Sequence, residues 1–150
     1  MNLTIIKLGI LHLNSCIELD QKSLKGLWTK SQWEEELTDP KRISIGVIDE
    51  TKTLLGLCSA WLVIDELHLT AIAVHPIHKR KGLGKILMSE LIKRSNSLLT
   101  NHIHLEVKKT NEPAKALYKS MGFKIVGNRP NFYKDGSDAI LYTKRLNKKS

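Results

Sequence analysis

Apolar residues occur along this chain in short runs and alternations that predict seven β-strands. One segment alternates strictly, so that Ile103, Leu105 and Val107 share one strand face and polar residues share the other. Turn residues at 49–52 and 65–66 separate three of the predicted strands. The predicted strands span residues 3–8, 43–48, 53–64, 67–74, 102–108, 123–127 and 138–145.

Apolar residues spaced three and four apart predict four helices between these strands. Ser31 and Glu34 fit a capping box at the start of the second helix. Asn111 is the expected N-cap of the fourth helix, and Gly122 is expected to end it. The first three helices are predicted at residues 10–24, 31–37 and 82–99.

The order of these elements predicts one α+β domain over residues 1–150. An antiparallel meander comes first, and a strand–helix–strand crossover follows it, so the sheet is expected to be mixed. Residues 147–150 are expected to be frayed.

The chain is basic, with a net charge of +9 over 150 residues. This charge favours an anionic partner, for which nucleic acid, a ribosome surface and a polyphosphate cofactor all qualify; a lysine-rich surface without a partner is the plainer alternative. Cys16 and Cys58 lie in apolar segments and are predicted to be buried thiols, which suits a reducing cytoplasm. No segment is typical of a signal peptide or a membrane span.

The most informative segment is residues 79–87, Lys-Arg-Lys-Gly-Leu-Gly-Lys-Ile-Leu. It follows a predicted strand and opens a predicted helix, where backbone N–H groups are unpaired and the helix dipole is positive. Such a turn is suited to a phosphate group, so we interpret it as the pyrophosphate cradle of a nucleotide-like cofactor. An ordinary strand-to-helix turn on a basic surface is the alternative interpretation.

Residues 71–76 (Ala-Ile-Ala-Val-His-Pro) and 80–84 (Arg-Lys-Gly-Leu-Gly) resemble the acyl-CoA motif of the GNAT superfamily of N-acetyltransferases. Lys79 stands where the superfamily pattern has Gln or Arg. The second half of the chain resembles one branch of that superfamily, the ribosomal-protein alanine N-acetyltransferases. The matching segments there are Leu105-Glu106-Val107, Asn111, residues 116–123 and residues 129–133.

The resemblance covers residues 26–145 or so and implies a GNAT fold. That fold has a mixed central sheet of about seven strands with four helices, and its strands 4 and 5 are splayed around CoA. The implied reaction transfers acetyl directly from acetyl-CoA to the N-terminal alanine of small-subunit ribosomal protein S-eighteen. The implied enzyme is a cytoplasmic monomer that needs no metal, and its basic surface offers a contact for the ribosome or rRNA.

The resemblance also implies which residues bind acetyl-CoA. Main-chain amides of the glycine turn would hold the pyrophosphate, and the backbone of the preceding strand would hold the pantetheine arm. The implied cofactor-binding residues are Ile72, Ala73, Val74, Lys79, Arg80, Lys81, Gly82, Leu83, Gly84, Lys85, Asn111 and Tyr118.

Two side chains are candidates for proton transfer. Glu106 is the candidate general base for the attacking amine; a surface glutamate paired with Lys108 or His104 is the alternative. Tyr118 is the candidate general acid for the departing thiolate; a core tyrosine is the alternative, and both roles are compatible.

The resemblance assigns Arg129 and Tyr133 to the acceptor site; an aromatic residue that only packs in the hairpin is the alternative for Tyr133. Because a ribosomal acceptor is itself basic, the acceptor groove of this basic chain needs local acid. The candidate acidic residues are Glu34, Glu35, Asp65, Glu66 and Asp135. Trp28 and Trp33 are candidates for the opposite wall or for buried anchors.

A metal site is not expected from the sequence. His102 and His104 share a strand face, and His75 and His78 share a loop, but neither pair comes with the Cys or carboxylate partners that a zinc site needs. Two other functions remain open at this point: acetylation of another N-terminus, a lysine or a small amine by the same fold, and a non-catalytic ribosome- or RNA-binding module.

Overall fold

The computed structural model describes residues 2–146, so the predicted fraying of residues 147–150 lies outside the described part of the chain. The strands are β1 (Thr4–Lys7), β2 (Arg42–Ile48), β3 (Leu54–Val63), β4 (Glu66–Val74), β5 (His102–Lys108), β6 (Lys124–Arg129) and β7 (Ala139–Arg145). The α-helices are α1 (Leu13–Ser23), α2 (Lys30–Thr38), α3 (Leu83–Ser97) and α4 (Glu112–Ser120).

The seven strands form one sheet in the order β1-β2-β3-β4-β5-β7-β6. Neighbouring strands are antiparallel except β4 and β5, which are parallel and are joined through α3. The prediction of a mixed sheet of about seven strands with four helices is confirmed.

Each face of the sheet is covered by two helices. Leu83, Leu87 and Leu91 of α3 belong to the same buried cluster as Leu105 of β5 and Tyr118 of α4. On the other face, residues of α1 and α2 pack in a second cluster; its buried members are Leu8, Cys16, Leu19, Trp33, Leu37, Leu54, Leu57 and Ala73. Burial of this apolar surface is the main stabilising contribution to the fold. Residues of β5 at even positions, including Glu106, therefore face the α1–α2 side.

The β4 and β5 strands separate after a short paired segment. Only residues 66–68 of β4 pair with residues 102–104 of β5. On its other edge, β4 has a bulge at Thr70, because Leu69 pairs with Ala60 and Ala71 with Ser59. A bulge bends its strand and increases its twist, and here it also reverses which β4 side chains face α3. The predicted divergence of strands 4 and 5 is therefore confirmed, and it leaves a gap between them.

Two details of the predicted elements are wrong. The N-cap of α2 is Thr29, whose side chain accepts a hydrogen bond from Gln32 N at 3.2 Å while Gln32 accepts one from Thr29 N at 2.8 Å. The capping box thus lies two residues before Ser31, because the Ser/Thr-x-x-Glu/Gln pattern fits both positions. The turn predicted at residues 65–66 is centred one residue earlier, since Val63 pairs directly with Glu66.

Other local predictions are confirmed. Asn111 caps α4 by accepting from Ala114 N at 3.2 Å, and Gly122 follows the helix with a φ of +86°. The segment predicted as the first helix begins with one 3-10 turn at Ile10–His12 before α1. Cys16 and Cys58 are buried free thiols. Within residues 2–146 no helix has both the length and the apolar character needed to cross a bilayer.

Candidate active site

The glycine turn forms an open cradle at the start of α3. Arg80 and Gly82 have φ values of +64° and +79°, in the left-handed region. Left-handed loop residues turn successive amides toward one side and form concavities that bind anions. The first hydrogen bond of α3 runs from Ile86 N to Gly82 O at 3.1 Å, so the amides of the preceding helical residues 83–85 point out of the helix end.

The two glycines of the turn serve different purposes. Gly82 needs its positive φ, and a Cβ built on it meets nothing within 4 Å, so the space around it is open. A Cβ on Gly84 would lie 3.2 Å from Leu117 Cδ2, so this glycine allows α3 and α4 to pack closely. The cationic side chains of the turn, Lys79, Arg80, Lys81 and Lys85, are all exposed. The cradle therefore has the shape and the charge that a diphosphate requires.

Beyond the cradle, the edge of β4 borders the gap. Ile72, Ala73 and Val74 lie past the last residue that pairs with β5. The side chains of Ile72 and Val74 pack against the α3–α4 cluster, whereas Ala73 packs against the α1–α2 cluster. Their side chains are thus structural, and the backbone is the part available to an extended polar ligand.

Glu106 lies on β5 at the point where the gap opens, and its partner is His68 of β4. His68 Nε2 lies 3.2 Å from each carboxylate oxygen of Glu106. This hydrogen bond lowers the pKa of Glu106 and raises the pKa of His68, in both cases as the largest influence. Lys108 instead pairs with Asp135 at 2.6 Å, so neither partner considered from sequence is the main one.

A groove of about 400 Å³ lies on the α1–α2 side of Glu106. Its lining residues are Trp28, Gln32, Glu35, Glu36, Arg42, His68, Leu69, Thr70 and Glu106. The groove is therefore lined by three carboxylates and one guanidinium group. Of the five acidic residues considered from sequence, Glu35 is the one in this lining; Glu34, Asp65, Glu66 and Asp135 are not.

Glu36 is an acidic residue of the groove that sequence reasoning missed. It is 6% exposed, accepts a hydrogen bond from Ser59 Oγ at 2.9 Å and lies 3.3 Å from Arg42 Nη1. Burial, the largest influence, raises its pKa, although both contacts act in the opposite direction. Glu36 lies on the same buried face of α2 as Trp33 and Leu37, and this helical spacing was the sequence signal that could have identified it as a buried carboxylate.

The two tryptophans considered for the groove differ in their roles. Trp33 is fully buried and its Nε1 donates to Asp20 Oδ2 at 2.8 Å, so it is an anchor. Trp28 packs edge-on against Trp33 with ring centroids 4.7 Å apart and also lines the groove.

Tyr118 lies on the opposite face of the sheet from Glu106, in the α3–α4 cluster. It is 3% exposed, with its ring 5.6 Å from Phe123 and 6.1 Å from Tyr142 between ring centroids. Burial raises the pKa of its phenol, so the hydroxyl stays protonated at neutral pH. Asn111, at the other end of α4, is exposed and has a capping role whatever else it contacts.

Arg129 and Tyr133 lie on the β6–β7 side of Glu106. Arg129 helps to line a smaller cavity of about 210 Å³ that Glu106 and His68 also border. Tyr133 is half-buried, with Lys108 Nζ 5.7 Å from its ring centroid, and it is not part of the lining of either cavity. The structure thus brings Arg129 beside Glu106. The pKa of Tyr133 is raised, first by burial and then by the charge of Glu106.

The expectation that His102 and His104 lack a carboxylate partner is wrong. Glu66 Oε2 lies 3.1 Å from His102 Nδ1 and 3.4 Å from His104 Nε2. The partner was hidden because it comes from β4, through the parallel pairing of Glu66 with His102. The His75 and His78 rings meet edge-on with centroids 5.6 Å apart, and His75 Nδ1 accepts from Ile77 N.

Comparison with known proteins agrees with this architecture. Residues 10–123 match the profile of the "Acetyltransferase (GNAT) family". A Bacillus subtilis (strain 168) protein, provisionally named a ribosomal protein bS18-alanine N-acetyltransferase, is 31% identical over 131 residues, covering 87% of each chain. The Escherichia coli K12 enzyme named [ribosomal protein bS18]-alanine N-acetyltransferase is 41% identical over 83 residues, which are 53% of this chain and 56% of that enzyme.

The crystal structure of the ribosomal-protein-S18-alanine N-acetyltransferase from E. coli superposes with a TM-score of 0.92 at 27% identity, covering 99% of this chain and 97% of the other. The profile match spans most of the present chain, and the full-length similarity to the B. subtilis protein agrees with it. The chain belongs to the GNAT family of acetyltransferases and is an acetyl-CoA-dependent N-acetyltransferase.

Proposed function

We propose that this protein transfers acetyl from acetyl-CoA to the α-amino group of the N-terminal alanine of ribosomal protein bS18, in the cytoplasm. The observation that carries the proposal is the arrangement at the β4–β5 gap. Glu106 borders the gap with a groove rich in carboxylates beside it. Tyr118 is buried in the α3–α4 cluster on the opposite face of the sheet, and the proposal has its hydroxyl reach the thioester from that side. The names of the similar proteins support the choice of acceptor.

The chain holds acetyl-CoA in two places. The amides of the turn from Lys79 to Lys85 bind the pyrophosphate, helped by the cationic side chains there. The backbone of Ile72, Ala73 and Val74 pairs with the pantetheine arm as a strand would, and Asn111 contacts the cofactor from the start of α4. Bound acetyl-CoA supplies the thioester carbonyl that the amine attacks.

Glu106 accepts a proton from the incoming amine, directly or through one water molecule. An α-amine titrates near pH 8 and a lysine amine near 10.4, so deprotonating the α-amine at neutral pH costs about 3 kcal/mol less. His68 lowers the pKa of Glu106, so the carboxylate is ionised at neutral pH. It is a weak base, and its part in the reaction rests on its position beside the amine. This chemistry favours an N-terminus over a lysine side chain.

Tyr118 donates its proton to the departing CoA sulfur. The phenol of Tyr118 is a weaker acid than the CoA thiol, so it is protonated when the reaction begins. The CoA thiolate needs a proton as it leaves. An acyl-enzyme route through cysteine is disfavoured, because both thiols are buried and burial raises the pKa of each to about 12. The amine therefore attacks the thioester directly.

The carboxylates of the groove would attract a basic acceptor to an enzyme that is itself basic. Glu35, Glu36 and Glu106 concentrate negative charge where the acceptor N-terminus arrives, although the chain as a whole carries +9. Arg129 and Tyr133, both on the β6–β7 side of Glu106, position the first residues of the acceptor.

The test uses three matched synthetic peptides with acetyl-CoA. One has the bS18 N-terminal sequence, one has the same sequence with its α-amine blocked, and one has the alanine replaced by a bulky residue. We expect acetylation of the first alone, located by mass spectrometry on the α-amine. Equal labelling of the blocked peptide would overturn α-amine specificity, and equal labelling of the bulky peptide would overturn the preference for alanine.

Acetylation of another N-terminus, of a lysine or of a small amine remains the second candidate, because the fold and the cofactor are common to all of these. A blocked peptide labelled on an internal lysine would favour it. The non-catalytic RNA-binding module is not retained, since the family is one of acetyltransferases; contact of the basic surface with rRNA remains a proposal to be tested by salt-dependent binding.

A further inference from the structure

A cluster of nitrogen and oxygen ligands lies beside the groups proposed for acetyl transfer but includes none of them. Glu66 is the first residue of β4, and His102 and His104 lie on β5. Because side chains alternate along strands, all three project from the same face of the sheet at the base of the β4–β5 gap. One ligand atom from each residue lies within 4.8 Å of the others.

We propose that Glu66, His102 and His104 bind a divalent transition metal ion of the zinc class. Two of the three ligand-to-ligand distances are already 3.1 and 3.4 Å. A tetrahedral ion with bonds of about 2.1 Å places its ligand atoms roughly 3.4 Å apart. The third distance, between the His102 and His104 nitrogens, is within 4.8 Å, so movement of one imidazole ring toward the other would complete three corners of a tetrahedron.

The surroundings of the cluster suit a metal ligand set. Thr143 Oγ1 lies 2.7 Å from His104 Nδ1. When His104 Nδ1 donates to this hydroxyl, the lone pair is left on Nε2, the atom that faces Glu66. The side chains of Glu66, His102 and His104 are 39%, 34% and 34% exposed, so the fourth position is open to water. Imidazole nitrogens select zinc-like ions over magnesium or calcium, which prefer oxygen.

The position of the cluster gives the metal a structural consequence. The ligands belong to the only paired segment of β4 and β5 among the described residues, directly before the strands diverge. A bound ion would cross-link the two strands there and fix the base of the gap. The ring centroid of His68, which contacts Glu106, lies 6.1 Å from that of His104. A bound ion would therefore lie near the proposed catalytic groups, but none of them would be its ligand.

The experiment uses untagged protein treated with a chelator and then titrated with Co²⁺, followed by competition with Zn²⁺. We expect one Co²⁺ per chain with a visible d–d absorption band, displacement by Zn²⁺, and a rise in melting temperature with Zn²⁺. His102→Gln, His104→Gln and Glu66→Gln should each weaken Zn²⁺ affinity at least tenfold. His75→Gln/His78→Gln, which removes the other histidine pair, is the matched control and should bind as the wild type does.

Circular dichroism of each variant without metal establishes whether it is folded. If one of the three ligand variants does not fold, the other two still test the proposal. Absence of the band, displacement only at millimolar Zn²⁺, or loss of binding in the His75/His78 variant rather than in the ligand variants would overturn the proposal. Because the readouts are spectra and melting temperatures, the outcome is independent of the acceptor assigned above.

Discussion

His68 Nε2 contacts both carboxylate oxygens of Glu106 at 3.2 Å, across the last paired residues of two parallel strands. The contact orients the Glu106 carboxylate at the point where the gap opens and lowers its pKa. His68 is thus a positioning residue for the proposed base, and its effect on turnover can be separated from a structural one.

We expect His68→Ala to lower kcat about tenfold, because a hydrogen bond to a charged group contributes roughly 1.5–3 kcal/mol. His68→Gln retains a side-chain N–H that can donate to Glu106 and should recover most of this loss. KM for acetyl-CoA should stay within about twofold in both variants, since His68 lies away from the cradle. Equal loss in both variants, or a loss confined to KM, would contradict a positioning role.

The cradle is tested by Gly82→Ala. The substitution strains a left-handed residue by ~1–2 kcal/mol and adds a methyl group beside the proposed phosphate amides. We expect the dissociation constant for CoA, measured by calorimetry, to rise at least tenfold. Gly136→Ala is the matched control, because Gly136 has a φ of +85° and equally open surroundings in a loop elsewhere. If both variants bind CoA like the wild type, the turn does not hold the pyrophosphate.

The direct-transfer mechanism makes a prediction about the thiols. Cys16 and Cys58 are fully buried, and burial raises the pKa of each to about 12. We therefore expect native protein to react with less than a tenth of an equivalent of a disulfide reagent within minutes, and unfolded protein to titrate both thiols. Rapid native labelling accompanied by loss of activity would instead indicate an accessible and functional cysteine.

Asp20 anchors the loop that leads into the acceptor groove. Its buried carboxylate accepts hydrogen bonds from Leu27 N, Trp28 N and Trp33 Nε1 at 2.7, 3.2 and 2.8 Å. Asp20→Ala leaves these donors unsatisfied and should lower the free energy of unfolding by about 3 kcal/mol, measured by urea denaturation. The exposed ion pair of Asp135 with Lys108 provides the contrast, since Asp135→Ala should lower the free energy of unfolding far less than Asp20→Ala does. Similar losses would contradict the anchoring role.

The sequence predicted the strands within a few residues because alternation and turn residues are local signals. The cradle was also predictable, since a glycine turn between a strand and a helix is contained in nine consecutive residues. The capping box was misplaced by two residues because Thr29 and Ser31 fit the same short pattern.

The chemistry around Glu106 was less predictable because its contacts come from distant parts of the chain. His68 and Glu106 are separated by 38 positions, and only the parallel register of β4 with β5 brings them together. The same register supplies Glu66 to His102. The bulge at Thr70 was also hidden, because β4 alternates only as far as Thr70 and residues 71–74 are all apolar, so no period shows the change of face.

The central claim is that Glu106 and Tyr118 act on one thioester from opposite faces of the sheet. The most direct measurement is the steady-state acetylation of the Ala-starting bS18 peptide by the wild type, Glu106→Gln and Tyr118→Phe, with Glu112→Gln and Tyr142→Phe as matched controls. The account predicts that kcat falls at least tenfold in both active-site variants, while CoA affinity and both controls stay near the wild type. Full turnover by Glu106→Gln and Tyr118→Phe would contradict it.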